Sequence, residues 1–249
     1  MEDRWNDPAT KREENSVTFF ERGVVEVEGK QYQRYAIKTH FVERGECYKD
    51  IVTRYVAPIL QDGDMLSSAE KIISMCQNEV VERSDIKVGF WANILWRFAS
   101  YSPAGQGVRD PHNMQLAINL AGLPRILWAA FCSGIGKIFR RKGVFYRIAG
   151  HGIDGIDGLY HKSPFEPYHN LAILNPREPD KVAAELEEIL GIPAMVVDAN
   201  DFTVEIFGKS PSMTLADATL CAIMKDNPSQ QGGGLTPLVL IRPQIAAET

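Results

Sequence analysis

The chain begins with a polar, charged stretch, "MEDRWNDPATKREEN", so residues 1–16 are expected to form a flexible arm ahead of one domain over 17–249. Beyond it, "GVVEVEGKQYQRYAIKTHF" alternates apolar and polar positions with the period of a strand pair, and Gly29 and Lys30 stand at the turn. From Glu46 to Leu60 the spacing becomes helical, with Tyr48, Ile51, Val52, Tyr55, Val56 and Ile59 on one face and "QDGD" as the stop. "MLSSAEKIISMCQ" then reads as a strand running into a helix. Between Val88 and Phe139 polar positions become scarce, which predicts buried helices, and "GVFYRIA" predicts a return to strand. "NLAIL" and "AMVVD" are fully apolar strand runs. Between them a helix is predicted from Pro179 to Leu190, with Val182, Ala183, Leu186, Ile189 and Leu190 on one face and Gly191 as its stop. Strand, helix, strand at this spacing predicts a right-handed parallel crossover. A last helix, "TLADATLCAIMKD", leads through the glycine loop of "PSQQGGGLTPLVLIRP" into a final strand. The class predicted is α+β, a mixed α/β arrangement.

Composition narrows the partners. With 249 residues, a formal net charge of −5 and a pI near 5.6, the chain has no basic bias for a nucleic-acid backbone, and no nucleic-acid partner is expected. Cys47, Cys76, Cys132 and Cys221 are scattered singly, which fits reduced thiols in a cytoplasmic protein rather than a disulfide framework or a zinc knuckle. Pro124 and Arg125 interrupt the apolar region short of the ~20 residues that a bilayer span needs. Buried helices and no membrane partner are therefore expected, with membrane-surface contact through "KIFRRK" as the lesser alternative.

Three stretches carry candidate chemistry. "GHGIDGIDG" places Asp154 and Asp157 among glycines that permit close backbone approach, a setting for a hard cation such as Mg2+ or Mn2+. A tight turn with solvated aspartates accounts for the same residues. "VVDANDF" puts Asp198 at the carboxyl end of a strand, where open α/β sheets bind ligands, and adds Asp201, which is equally suited to capping a turn. Gly232, Gly233 and Gly234 can turn successive backbone amides toward an anion, or serve as a flexible loop. Lys71 offers a point charge for a phosphate, or a surface lysine. His151 lies inside the first stretch, whereas His161 and His169 lack zinc-site spacing. Nucleophilic hydrolysis has no motif here.

Taken in order, these pieces resemble the coenzyme F420-0:γ-glutamyl ligase family over roughly Tyr35 to Pro243, most weakly between Glu82 and Arg141. "LQDGDMLSSAEKIISMCQ" is similar to that family's DGD, apolar strand and K-I-V-S segment. "GHGIDGIDG" is similar to its AGIDxSNV loop, and "AMVVDANDF" to its strand ending in T-D-T-x-G-R. "LADATLCAIMKDNPSQQGGGLTPLVLIRP" is similar to its A-D-E-I-A helix, Gly-rich loop and final strand. The resemblance implies a two-lobed fold in a homodimer, and a ligase that uses GTP or ATP with Mg2+ or Mn2+. Such a ligase joins a small-molecule acid, through an acyl phosphate, to an amine such as an amino acid. Carried over by position, Asp154 and Asp198 become metal ligands and the catalytic carboxylates, with Asp201 a further candidate. Ile37, Lys38, Thr39, His40, Glu70, Lys71, Asp157, Asn200 and Gly232 to Leu235 become the nucleotide's surroundings.

The chain departs from the pattern in two places. Where the family continues K-x-E-G-R, this chain reads Met75, Gln77, Asn78 and Glu79; where it has Gly-Arg, this chain has Asp201 and Phe202. Charged positions are thereby lost, and the apolar segment 88–139 is its own. These departures leave open a non-catalytic nucleotide-binding or regulatory paralogue, and a phosphohydrolase, beside the ligase.

Overall fold

A buried strand from the C-terminal end of the chain forms the middle of the larger sheet. In the computed structural model, residues 7–99, 107–141, 143–150, 152–153, 155–160, 163, 165–230 and 233–244 are described. The elements run β1 (Lys11–Glu14), β2 (Val17–Val27), β3 (Lys30–Ile37), α1 (Tyr48–Tyr55), β4 (Met65–Ala69) and α2 (Glu70–Cys76). There follow β5 (Val80–Glu82), α3 (Phe90–Leu95), α4 (Pro111–Ala121), α5 (Leu123–Ile138), α6 (Val144–Ala149), β6 (Asp157–Gly158) and β7 (Leu171–Ile173). The chain ends with α7 (Pro179–Leu190), β8 (Ala194–Ala199), β9 (Val204–Lys209), α8 (Asp217–Met224) and β10 (Leu238–Gln244). Two compact units result: Met1–Asn78 with Pro176–Thr249, and the intervening Glu79–Asn175. Mixed helix and sheet is as expected from the sequence, and residues 79–175 form a compact unit of their own within the chain.

The first unit is a seven-stranded sheet in the order β1-β2-β3-β10-β4-β8-β9. Alternation along β10 sends Leu238 and Leu240 to one face and Val239 and Ile241 to the other, and all four are buried. On the first face they meet Ile51 and Val52 of α1, Ile72 and Ile73 of α2, and Leu186 of α7. On the second they meet Leu220, Ile223 and Met224 of α8. A strand covered on both faces has to be apolar throughout, which is why "LVLI" shows no polar alternation. Two ion pairs pin this sheet. Arg242 of β10 binds Asp64 through Nε (2.7 Å) and Nη2 (2.9 Å), and the Asp64 carboxylate is fully enclosed. Arg34 of β3 binds Asp226 together with the carbonyls of Ile223 and Arg22.

Several expectations are corrected. Lys11–Glu14, inside the supposed arm, pair antiparallel with β2, and Arg12 holds Glu21 across the pair; an edge strand needs no apolar face to do this. The turn between β2 and β3 is Glu28–Gly29, both at positive φ, so Lys30 already belongs to β3. "VFYRIA" is the helix α6, bounded by Gly143 and Gly150 at positive φ, because a short apolar run carries no period that separates strand from buried helix. β7 and β8 do not form a crossover either. β8 lies parallel to β4, whereas β7 joins β5 and β6 in the three-stranded sheet of the second unit. Helix α7 itself is as expected, with Pro179 in its first turn and Gly191 at φ +71 closing onto the Glu187 carbonyl.

The second unit packs α3 to α6 around Ala92, Met114, Leu116, Ile126, Ala129 and Ile153. Gly122 at φ +81 breaks α4 from α5, and the two helices meet at 116°. The segment 88–139 is helical as expected but only half buried, because α5 inserts just one face and leaves Trp128, Phe131 and Ile138 outside.

Two glycines of the first unit separate steric from conformational cost. A Cβ on Gly208 would lie 2.3 Å from the Pro179 backbone, whereas Gly191 faces open space and is held only by its left-handed φ. Gly208→Ala is expected to lower stability by about 1–3 kcal/mol or more through overpacking, and Gly191→Ala by about 1–2 kcal/mol. Urea denaturation of the two variants against the parent checks the order.

Candidate functional site

Strand direction decides which loops meet. β3, β4 and β8 run one way and β10 runs the other, with Leu238 opposite both Ile37 and Ser68, and Ser68 beside Val196. One step beyond this row lie Lys38–His40, Glu70–Lys71, Asp198–Asn200 and Leu235–Pro237. Four stretches remote in sequence therefore converge at one end of the sheet, outside the carboxyl ends of three co-directional strands. Backbone hydrogen bonds tie them: Thr39 N–H donates to the Leu235 carbonyl at 2.8 Å, and Ala69 N–H to the Pro237 carbonyl at 2.9 Å. Ile37 and Thr39 are buried, Lys38 is exposed, and Glu70 and Lys71 are half-buried at the start of α2.

The glycine loop is shaped from its start. Asp226, held by Arg34, precedes Asn227, whose Oδ1 accepts from the Gln230 amide (3.2 Å) and the Ser229 hydroxyl (3.0 Å). Asn227 Nδ2 donates to Asp201 Oδ1 at 3.0 Å, so the turn after β8 is fastened to the segment leading into Gly233. The turn is capped by Asn200, not Asp201: Asn200 Oδ1 accepts from the amides of Phe202 and Thr203 at 3.0 Å each. Gly233 (φ +91) and Leu235 (φ +54) both need left-handed backbone, and Gly234 is buried. The Oε1 of Gln230 is buried without a partner among the described residues.

Asp198 stands directly opposite Glu205 of β9. Residues that face each other across an antiparallel pair share a sheet face, and two carboxylates so placed repel unless a cation lies beside them. Alternation puts Asp198 on the face that carries α2 and α7, since Val196 packs there and Val197 packs on the other side. Asp198 is half-buried and Glu205 exposed. The site thus offers hard oxygen donors of the kind Mg2+ or Mn2+ takes, one or two carboxylates at a time. No group of three such ligands occurs among the described residues.

His40 also lies at this end of the sheet, held on both ring nitrogens. Its Nδ1 lies 2.8 Å from Tyr55 Oη and its Nε2 2.7 Å from Glu46 Oε2. Tyr55 Oη accepts from the His40 amide at 3.3 Å, which turns its own hydrogen toward Nδ1 and leaves Nε2 to donate to Glu46. Burial pushes the Glu46 carboxyl up, but the Glu43 amide and then His40 and Arg54 outweigh it and hold the group below its ordinary value of 4.5.

Asp157 belongs to the other unit. It sits in β6 opposite Ile173, and its Oδ1 accepts from the Gly158 amide at 2.7 Å. The glycines around it approach the chain itself. A Cβ on Gly155 would lie 1.8 Å from Asn175 Oδ1, and one on Gly158 2.0 Å from the Leu171 carbonyl oxygen. Packing against Asn175 and β7 therefore accounts for these two glycines. Asp154, His151 and Gly232 lie outside the described residues. A surface depression lined by Glu21, Arg22, Asp226, Pro228 and Gln230 includes none of the residues that the sequence singled out.

Sequence reasoning missed Asn227, Gln230, Glu205, and Tyr55 and Glu46 as the partners of His40. Glu205 could have been found by folding "VVDANDFTVEIF" about its turn. The others depend on how loops fold back, which leaves no periodic signal. At the sites of departure, Met75 is buried in the first unit, and Gln77 exchanges hydrogen bonds with the Arg177 backbone at 2.9 and 2.7 Å. Phe202 is exposed on the Asn200 turn. No protein-family model matches the sequence, and no curated protein matches it significantly.

The Glu46 carboxyl is depressed, so the stability it contributes is fully present above pH 4.5 and is lost as the pH falls through its lowered value. Glu46→Gln is expected to make the acid-side fall in melting temperature shallower than in the parent. Melting curves between neutral pH and pH 3 read this out.

Proposed function

We propose that the protein is a nucleotide- and divalent-metal-dependent amide ligase, with the two-lobed fold of the F420-0:γ-glutamyl ligase type. It joins a small-molecule carboxylic acid to an amine such as an amino acid. The observation that carries this reading is the convergence of Lys38–His40, Glu70–Lys71, Asp198–Asn200 and Leu235–Pro237 at one end of the sheet, since these are the stretches that the resemblance assigns to the nucleotide.

The reaction has two displacements. The acid's carboxylate oxygen attacks the γ-phosphorus of GTP or ATP, a P–O bond breaks, and the nucleoside diphosphate leaves. The amine nitrogen then attacks the acyl carbon and the C–O bond to phosphate breaks, releasing inorganic phosphate and one proton. Neither step needs a protein nucleophile. Both need positioning and stabilisation of charge, which fixed amides and cations provide. In this reading Gly233 and Gly234 turn backbone amides toward the phosphates and Lys71 places a positive charge beside them. Asp198 would be a ligand to Mg2+ or Mn2+, which supplies neutralisation of the phosphate oxygens.

A second reading, a nucleotide-binding protein without ligase chemistry, is favoured by one observation. Met75 is committed to the core and Gln77 to Arg177, so the positions where the family carries charge do not supply it here.

Asp198→Asn separates folding from binding. The ligand-free melting temperature of this variant beside the parent's shows whether folding is affected. The shift caused by nucleotide with Mn2+ is expected to disappear, and amide formation to fall by about a hundredfold or more. Thermal shift and product analysis over a panel of acids and amines measure both. Nucleotide-dependent stabilisation without any amide product selects the second reading, and no stabilisation by either nucleotide removes both.

A further inference from the structure

The second unit has a charge pattern unlike the rest of the chain. From Ile86 to Ile153 the sequence carries nine lysines and arginines and a single acidic residue, Asp110, against eighteen and thirty-one elsewhere. α4, α5 and α6 contain no carboxylate at all. On α5, Trp128, Phe131, Ile135 and Ile138 recur at spacings of three and four, so they form one stripe along the helix. The stripe points outward: Trp128 is 58% exposed, Phe131 59%, Ile138 78% and Phe139, just past the helix, 71%. Trp128 and Phe131 stack with their ring centroids 5.6 Å apart. The opposite face, with Ile126, Ala129 and Gly136, is buried in the unit's own core. At the C-terminal end Lys137 donates to the Phe98 carbonyl at 2.9 Å, which brings another exposed ring to that end, and exposed Arg140 and Arg141 and then Lys142 follow in sequence.

From this we propose that the α5 face docks on an anionic lipid surface, with the aromatic and isoleucine side chains entering the interfacial layer and Lys137, Arg140 and Arg141 engaging lipid phosphates. The pattern is that of a helix lying in the plane of a membrane: an apolar stripe, adjoining cations and no acidic residue. α5 does not cross the bilayer. It has 16 residues, meets α4 at 116° and has one face committed to the protein core. A second copy of the chain is the poorer occupant. A two-fold interface repeats the same surface on both sides, so Lys137, Arg140 and Arg141 would enter a contact to which neither copy's α4, α5 or α6 brings a carboxylate. Nucleic acid would satisfy the cations but would leave Ile135 and Ile138 without an apolar partner. The proposal takes up the membrane-surface contact through "KIFRRK" that the sequence offered as the lesser alternative to buried helices.

The test uses the full chain with vesicles of phosphatidylcholine alone and of phosphatidylcholine mixed with phosphatidylglycerol. Cosedimentation is expected with the mixed vesicles and not with the neutral ones, to weaken with salt, and to be accompanied by a blue shift of tryptophan emission. Arg140→Glu with Arg141→Glu is expected to weaken binding by about fivefold or more for each charge removed, and Trp128→Ser with Phe131→Ser by about tenfold or more. All four positions are exposed, so unchanged melting temperatures separate lost docking from lost folding. Three outcomes overturn the proposal: no binding to either vesicle, equal binding to both, or variants that bind like the parent. A dimer that Trp128→Ser with Phe131→Ser dissociates and that mixed vesicles do not compete away also overturns it, and assigns the face to a second copy.

Discussion

The first unit depends on β10 filling the slot between β3 and β4. Without it, the facing edges of both strands would carry unpaired backbone amides and carbonyls between two apolar layers, a cost that no other segment offsets. The strand supplies that pairing over its whole length to β3 and over four residues to β4. It also contributes Leu238 and Leu240 to one core and Val239 and Ile241 to the other. Because β10 is the last strand of the chain, the sheet closes only through contacts of long sequence separation, which makes its formation cooperative and places it late in folding. Asp64 and Arg242 fix the far end of the strand, and the loop of residues 233–237 is thereby held at the end of the sheet where the candidate site lies.

That placement links architecture to chemistry. A glycine loop is a weak anion site when free, because ordering it costs backbone entropy. Here the entropy is spent by folding. Arg34 seats Asp226, Asn227 joins the loop's first residues to Asp201, and Thr39 and Ala69 fasten its end to two neighbouring strands. The Asp198–Glu205 pair adds a concentration of negative charge beside this rigid loop. The Tyr55–His40–Glu46 chain adds one ring whose orientation is set from both nitrogens.

The two units also divide the electrostatics. The first carries 25 of the 32 acidic residues and is acidic overall, while the helical unit is basic and partly clad in exposed aromatic side chains. A net charge of −5 therefore describes neither of them.

Much of this was legible in the sequence, wherever local chemistry decides. The helix over Pro179–Leu190 follows from its apolar spacing, its first-turn proline and its terminal glycine. β4, α2, β8, α8 and β10 follow from fully apolar or periodic runs bounded by turn residues, and Asp198 at a strand end follows from "VVD" alone. Other features were decided only in three dimensions. "VFYRIA" is a helix because Gly143 and Gly150 bound it inside a helical unit, and six apolar residues have no period of their own. β7 and β8 separate because each finds its hydrogen-bonding partners in a different sheet. The glycines at 155 and 158 are needed by Asn175 and Leu171, which no local reading can foresee. The sequence by itself determined which residues prefer helix, strand or turn, since those preferences act over a few neighbours. Only the tertiary structure decided which strand ends lie side by side, and so which polar residues could form a site, because that depends on pairing between segments up to about two hundred residues apart.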